Sequence, residues 1–268
     1  MKAIRGVCID LSGTLHIEDT LTPGALEALT QLRSHESQLQ IRFVSNTSKD
    51  SSASLVARLR RLGFTDALVP AAAVFTSLSA AAKKVAIENR TPLLLVANEA
   101  KADFETPKEG AVFDAVVVGL APHSFEYESL SHAMNVLLEA KAANKNPMLI
   151  ATHKGRYFQR KDGLAMGPGP FVAALEYATG IEAQVVGKPE PAFFKLALDD
   201  MGLQPDECVH IGDDVRDDVG GAMAVGMRGI LVRTGKYRPG DETTHGITPS
   251  STVQDFGAAV DLILKGLV

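Results

Sequence analysis

Cysteine is scarce in this chain, with two among 268 residues, and both fall in runs that read as core strands. That excludes a disulfide framework, and Cys8 and Cys208 are expected as buried, reduced thiols. Long apolar runs are missing as well. The stretch nearest the N-terminus is broken by Arg5 and Gly6 and is too short for a secretory signal or a membrane span. No block of Lys or Arg marks a nucleic-acid tail, and the formal net charge is −5. No Gly-x-Gly-x-x-Gly follows the first strand, which removes the argument for a dinucleotide-dependent oxidoreductase. Internal repeats and low-complexity tracts are absent. What remains is 46% apolar and 22% charged, the balance of a globular enzyme. The expectation is a cytoplasmic protein with neither nucleic-acid nor membrane partners.

The elements alternate. A strand at about 4–10 leads to Pro23-Gly24 and a helix with Leu26, Leu29 and Leu32 at helical spacing. A strand over 41–45 follows, then a helix from about Asp50 carrying Leu55, Leu59 and Leu62 and stopped by Gly63. The last third repeats the pattern: a strand at Val185-Val186-Gly187, a helix at 191–201, a strand at 208–212, a helix at 216–225 and a strand at 229–232. Such alternation predicts an α/β fold with a doubly wound, Rossmann-like parallel-sheet core. Further strand-like runs at 92–97, 112–119 and 147–152 lie between the two halves. Residues 79–181 are therefore expected as an inserted α/β domain, with 1–78 and 182–268 forming the core.

Four segments end or follow expected core strands. Asp10 closes the run Ile4–Ile9 and is followed by Leu11-Ser12-Gly13-Thr14; the others are Ser45-Asn46-Thr47, Gly187-Lys188-Pro189, and Gly212-Asp213-Asp214 with Asp217 and Asp218. In a parallel sheet all four mouths open on one edge. Four carboxylates within residues 213–218 repel one another unless solvated or neutralised by a cation. With Asp10 added, the cluster reads as a magnesium site, and the whole inventory suits phosphoryl transfer. Each piece has a plainer reading. Ser45–Ser48 would serve as an N-cap for the helix at 50, Lys188 as a solvated surface lysine, and Asp217 as a solvated acid at a helix start. His16, His153 and His210 lack metal-ligand spacing. Gly167-Pro168-Gly169-Pro170 reads as a turn before a helix rather than a phosphate loop.

Taken in order, Asp-x-x-Gly-Thr, a strand-end Ser, Lys-Pro, and Gly-Asp-Asp with a further Asp resemble the haloacid dehalogenase superfamily of phosphohydrolases. The insertion resembles the large C2-type α/β cap of its NagD and 4-nitrophenylphosphatase-like branch. Residues 10–16, Arg156-Tyr157, 161–165 and 235–238 are similar to sequences of that branch. The resemblance implies a phosphatase in which Asp10 attacks phosphorus and becomes an aspartyl phosphate. It implies Mg²⁺ on the Asp10 carboxylate, the Ser12 carbonyl and Asp213, supported by Asp214 or Asp218. It implies phosphoryl contacts from Leu11, Ser12, Ser45, Asn46 and Lys188, with Lys188 balancing charge. The implied partner is a small phosphorylated substrate or a phosphoprotein; a homodimer is left open.

One position departs from the superfamily pattern. Ser12 stands where most of these phosphatases carry the aspartate that protonates the leaving group and then activates water. A hydroxyl is too weakly acidic for either task, and general acid–base help is worth ~10²–10⁴ in rate. The expected substrates are thus those with good leaving groups: pyrophosphate, phosphoramidates, acyl phosphates or activated aryl phosphates. The alternative is a weakly active or non-catalytic phosphate- and Mg²⁺-binding module acting through a protein partner. A phosphomutase ranks third and a metal-free dehalogenase last. The basic run 153–161 is either an anion-facing surface or a solvated hairpin edge.

Overall fold

The computed structural model describes residues 2–160 and 162–268; Lys161, part of the stretch 161–165 and of the basic run, lies outside the described residues. The N-terminal part comprises β1 (Gly6–Ile9), a small antiparallel pair β2 (His16–Ile17) and β3 (Thr20–Leu21), α1 (Ala25–Arg33), β4 (Gln40–Ser45), α2 (Ser52–Arg61) and β5 (Val74–Thr76). The middle holds α3 (Ser77–Ile87), β6 (Pro92–Leu95), β7 (Ala115–Val118), α4 (Tyr127–Ala142), β8 (Met148–Ala151), the hairpin β9 (Tyr157–Arg160) and β10 (Gly163–Met166), α5 (Gly169–Thr179) and β11 (Gln184–Val185). The return comprises α6 (Pro191–Met201), β12 (Cys208–Gly212), α7 (Gly221–Ala224), β13 (Arg228–Val232), α8 (Asp241–His245), β14 (Ser251–Val253) and α9 (Phe256–Leu264).

Two parallel sheets result. The larger has the order β14-β13-β12-β1-β4-β5 and the smaller β11-β8-β7-β6. Reversal of strand order beside β1 puts the ends of β1, β4 and β12 together, the place where open α/β sheets bind ligands. Period-two alternation explains the layering. On β1, Val7 and Ile9 join Leu29, Leu32, Leu55, Leu59, Phe256 and Val260 on one face, while Cys8 packs with Phe193, Phe194 and Cys208 on the other. Each large side chain buried this way contributes roughly 1.5–3 kcal/mol. The smaller sheet works alike: Val116 and Val118 face Leu137 and Leu175, and Val117 faces Leu78 and Ala81. Cys8 and Cys208 are both buried free thiols.

Several expectations need correction. The strand at 185–187 does not belong to the large sheet: Gln184 and Val185 pair with Ile150 and Ala151 of β8. Ala183 and Val185 cover one apolar face of the small sheet and Val186 the other, which holds this segment there. The helix expected from Asp50 begins at Ser52, with the Ser51 hydroxyl capping the Ser54 amide at 3.2 Å, so Ser45–Ser48 is no N-cap. The helix expected at 216–225 is a wide π-type turn over Val215–Gly220 followed by the short α7. There the Asp214 carboxylate caps the amides of Arg216 and Asp217, and the Asp218 carboxylate takes the Asp214 amide. The edge strands β5 and β14, three residues each, carry too little pattern to be read from sequence.

Candidate active site

Asp10 follows β1 directly and is 4% exposed. Its Oδ1 accepts a hydrogen bond from Lys188 Nζ at 2.6 Å, while its Oδ2 is buried with no protein partner. Lys188 is no surface lysine; it is 2% exposed and reaches the site from the segment returning out of the small sheet. Its ammonium meets Asp10 Oδ1, Asp218 Oδ1 and the Val44 carbonyl, each at 2.6 Å. Three protons thus find three acceptors, the condition for burying an ammonium. Burial alone would depress Lys188, but Asp10 and Asp218 together push it upward, so it stays charged.

The backbone of Lys188 is also held. Asn46 Oδ1 accepts its amide at 2.8 Å and Asn46 Nδ2 donates to its carbonyl at 2.9 Å. The Asn46 side chain is therefore committed to positioning Lys188, which leaves its backbone N–H as the group available to a phosphoryl oxygen. Ser45, 1% exposed, donates from Oγ to Thr47 Oγ1 at 3.1 Å and accepts the Thr47 amide at 3.2 Å. Thr47 Oγ1 is in turn 3.4 Å from Ser12 Oγ, so the loops after β1 and β4 touch through hydroxyls. The Leu11 side chain is buried in the core, so only its backbone can face a ligand.

Carboxylate oxygens of Asp10, Asp213 and Asp218 lie within 4.8 Å of one another. Asp213 sits between two glycines. A Cβ on Gly13 or Gly235, both at positive φ, would come 2.1 Å from Asp213 Oδ2. That Oδ2 accepts the Lys236 amide at 2.6 Å, whereas Asp213 Oδ1 is buried with no protein partner. Burial first, and mutual repulsion behind it, raise two of the acids: Asp10 to about 6 despite Lys188, and Asp213 well above the ordinary range despite Lys236. Asp218 differs. Burial opposes its charge, but Lys188 and His210 hold it far below the usual carboxylate range. Its Oδ1 is also 3.2 Å from His210 Nε2, and its Oδ2 takes the Asp214 amide.

A divalent cation fits this donor set. Two buried carboxylates each present an unpartnered oxygen, and oxygen ligands are what Mg²⁺ prefers. Asp10 and Asp213 are the side chains free to hold it. Asp218 is engaged by Lys188 and His210, and Asp214 lies outside the carboxylate group, capping the π-type turn and facing Lys236 Nζ at 3.4 Å. Asp217, expected to be solvated, is 7% exposed, and burial with Asp214 beside it raises it to about 7.

The cavity over Asp10 has about 120 Å³ of room for water-sized groups. Asp10, Ser12, Ser45, Asp213 and Lys236 form its floor, while Leu120, His153, Phe158 and Pro168 close it from the small-sheet side. His153 accepts the Gly155 amide on Nδ1 at 3.1 Å, and burial, with Lys236 and Lys188 near, lowers it to about 3, so its ring is neutral. Lys236 and Thr47 lie in stretches the sequence singles out, 235–238 and Ser45-Asn46-Thr47, but the sequence assigns neither a role. Gly235-Lys236 follows the end of β13 closely, so the same strand-mouth rule that marked Asp213 could have found it.

Fold and site together define an enzyme of the parallel-sheet α/β class with its chemistry at the strand ends. Residues 7–108 match a family described as haloacid dehalogenase-like hydrolase, and 185–259 match HAD-hydrolase-like domains. Bovine haloacid dehalogenase-like hydrolase domain-containing protein 2 is 50% identical over 267 residues, covering 100% of this chain and 98% of the relative. Bovine phospholysine phosphohistidine inorganic pyrophosphate phosphatase is 39% identical over 269 residues, covering 99% and 96%. Among solved structures, 4-nitrophenylphosphatase from Thermotoga maritima superposes with a TM-score of 0.82 at 26% identity, covering 97% of each chain. A glycerol phosphate phosphatase from Mycobacterium tuberculosis in complex with magnesium gives 0.77 at 26% identity, covering 96% of this chain and 78% of that one. The chain belongs to the haloacid dehalogenase-like hydrolases and is an enzyme of their phosphatase type. No described helix is long and apolar enough to cross a membrane.

Proposed function

We propose that this protein is a Mg²⁺-dependent phosphohydrolase working through an aspartyl phosphate at Asp10, on small phosphorylated compounds with good leaving groups. The observation that carries the reading is Asp10 itself: a buried strand-end carboxylate lining the cavity, with one oxygen held by Lys188 and the other without a protein partner. Asp10 and Asp213, with the Ser12 carbonyl, would hold the ion, whose charge when bound neutralises phosphoryl oxygens. Lys188 keeps Asp10 ionised and adds positive charge where the phosphoryl group gathers negative charge. One Asp10 carboxylate oxygen would face the ion while the other forms the new O–P bond as the bond to the leaving group breaks, and water then cleaves the aspartyl phosphate to inorganic phosphate. Ser45 Oγ and the Asn46 backbone amide support phosphoryl oxygens during both displacements. The small-sheet unit acts as a cap, its Leu120, His153, Phe158 and Pro168 excluding bulk water.

Ser12 sets the substrate preference. It lines the cavity beside Thr47, and a hydroxyl gives little proton to a departing alkoxide. Leaving groups that need no proton from the enzyme are favoured: phosphate from pyrophosphate, an activated phenol, and the amine of a phosphoramidate whose nitrogen takes its proton from solvent before the P–N bond breaks. The test is hydrolysis of pyrophosphate, imidodiphosphate, 4-nitrophenyl phosphate and a sugar phosphate by purified protein, with and without Mg²⁺. Asp10→Asn serves as the control. Mg²⁺-dependent turnover of the good leaving groups, lost in Asp10→Asn, is expected. Turnover that survives Asp10→Asn overturns the covalent route, and equal turnover of the sugar phosphate overturns the account of Ser12.

A further inference from the structure

A second, smaller cavity adjoins the first, and Asp213 and Lys236 line both. Arg156 and Tyr157 contribute from the small-sheet side, and Arg216 and His245 from the core. Three basic side chains (Arg156, Arg216, Lys236) and three acids (Asp213, Asp214, Asp241) line it, equal in number but not paired off. Lys236 is answered by Asp214 at 3.4 Å and by Asp213, whose Oδ2 takes its amide. Asp241, the remaining acid on the wall, accepts the Arg238 amide at 2.8 Å. Arg216 has its nearest carboxylate, Asp217, only at 4.0 Å, beyond hydrogen-bond reach. The Arg156 backbone carbonyl accepts the Gly167 amide at 2.9 Å, but its guanidinium forms no ion pair or hydrogen bond with the described residues. Arg156 and Arg216, one from each unit, thus border a cavity that shares Asp213 and Lys236 with the Asp10 site.

We infer that the preferred substrate carries a second anionic group, a carboxylate or a phosphate on its leaving side, held between Arg156 and Arg216. This rests on the phosphatase reading and narrows its substrate class. A guanidinium offers a planar pair of N–H donors that matches either group in bidentate fashion. One anion bridging Arg156 and Arg216 joins the two units, so binding the right leaving group also draws the cap onto the core. Part of the binding energy of that remote group then goes into assembling the site, the use of binding energy that raises specificity rather than affinity alone.

The experiment compares 4-carboxyphenyl phosphate with its neutral isostere 4-carbamoylphenyl phosphate, and adds 1,4-phenylene bisphosphate as the phosphate arm. The readout is the ratio of kcat/KM for the charged over the neutral ester, with Mg²⁺, in wild type, Arg156→Gln, Arg216→Gln and the double variant. Arg160→Gln is the control; Arg160 lies on the same hairpin, pairs with Asp162 and does not line the cavity. The ratio is expected to favour the anionic esters by about tenfold, the scale of one charge-assisted contact. It should collapse toward one in the double variant and persist in Arg160→Gln. Whichever anionic ester gives the larger ratio identifies the bound group. A ratio near one in wild type, or one unchanged in the double variant, overturns the subsite. Dissociation constants of the matching non-hydrolysable benzylphosphonates, 4-carboxy against 4-carbamoyl, with the wild-type protein and Mg²⁺ give the ratio without turnover. Failure of the phosphatase reading would therefore show as absent hydrolysis, and failure of the subsite as an absent binding preference.

Discussion

Lys188 Nζ lies 2.6 Å from Asp10 Oδ1 and 2.6 Å from Asp218 Oδ1, so one buried ammonium ties the acid after β1 to the acid in the turn after β12. The relationship makes Lys188 structural as well as electrostatic. Lys188→Met would leave two buried carboxylates unpaired, a change that typically costs 3–5 kcal/mol. Thermal unfolding should show that loss, and hydrolysis should drop by roughly 10²–10³, the scale of removing a charge-stabilising group. Lys188→Arg should not restore activity, because a planar fork cannot point at three acceptors around one nitrogen. Full activity in the arginine variant would refute the three-way arrangement.

Gly13 and Gly235 enclose Asp213, and a methyl group on either would stand 2.1 Å from its carboxylate. Gly13→Ala is expected to destabilise the fold by about 1–3 kcal/mol, since it combines overpacking with a positive φ. It should also displace Asp213, so that added Mg²⁺ no longer raises the melting temperature. A Mg²⁺-induced shift as large as in wild type would show that Asp213 is not a ligand.

His16 predicts a pH dependence of stability. In the folded chain burial, then Arg58, pushes it down to about 4, and its Nδ1–H donates to the Glu18 carbonyl at 2.8 Å. Unfolded, it returns to about 6.5. Between those values the unfolded chain binds the proton more readily, so the contribution is intact above about 6.5 and is lost as pH falls toward 4. At pH 5 the group should cost about 2 kcal/mol relative to pH 7. Urea unfolding of wild type and His16→Gln at both pH values isolates the effect, because the other titrating groups cancel in the comparison. An identical pH slope in the two proteins would contradict it.

Ser12→Asp should speed hydrolysis of alkyl phosphates by up to ~10² while changing activated aryl phosphates little, because it supplies the proton that only poor leaving groups need. The dependence of kcat/KM on leaving-group basicity should become shallower. No gain on alkyl esters would mean that another group already donates that proton.

Much of the site was legible because catalytic groups in a parallel sheet gather at strand ends, and strand ends announce themselves. Asp10 and Asp213 each close a short apolar run, so both could be placed on one edge before any coordinates. Lys188 was found through its motif, but its route was not. Its segment does not follow a strand of the large sheet; the two-residue β11 before it pairs with β8 instead. So short a strand carries no periodicity to say which sheet it joins. Asp217 escaped for a related reason: an α-helical pattern predicts an outward-facing acid, whereas the π-type turn turns it inward.

Sequence alone determined the parallel α/β architecture, the strand-end acids and the substitution of Ser12, because hydrophobic period and residue chemistry are local properties that need no partner to be read. Only the tertiary structure decided how the charges pair. It gave Lys188 to both Asp10 and Asp218, committed the Asn46 side chain to Lys188, separated Asp214 from the carboxylate group, and put Arg156 and Arg216 on the lining of one cavity. Each of those pairings joins segments far apart in the chain. Its energy depends on burial and on the other charges present, quantities that exist only once the two sheets and their connecting loops have packed.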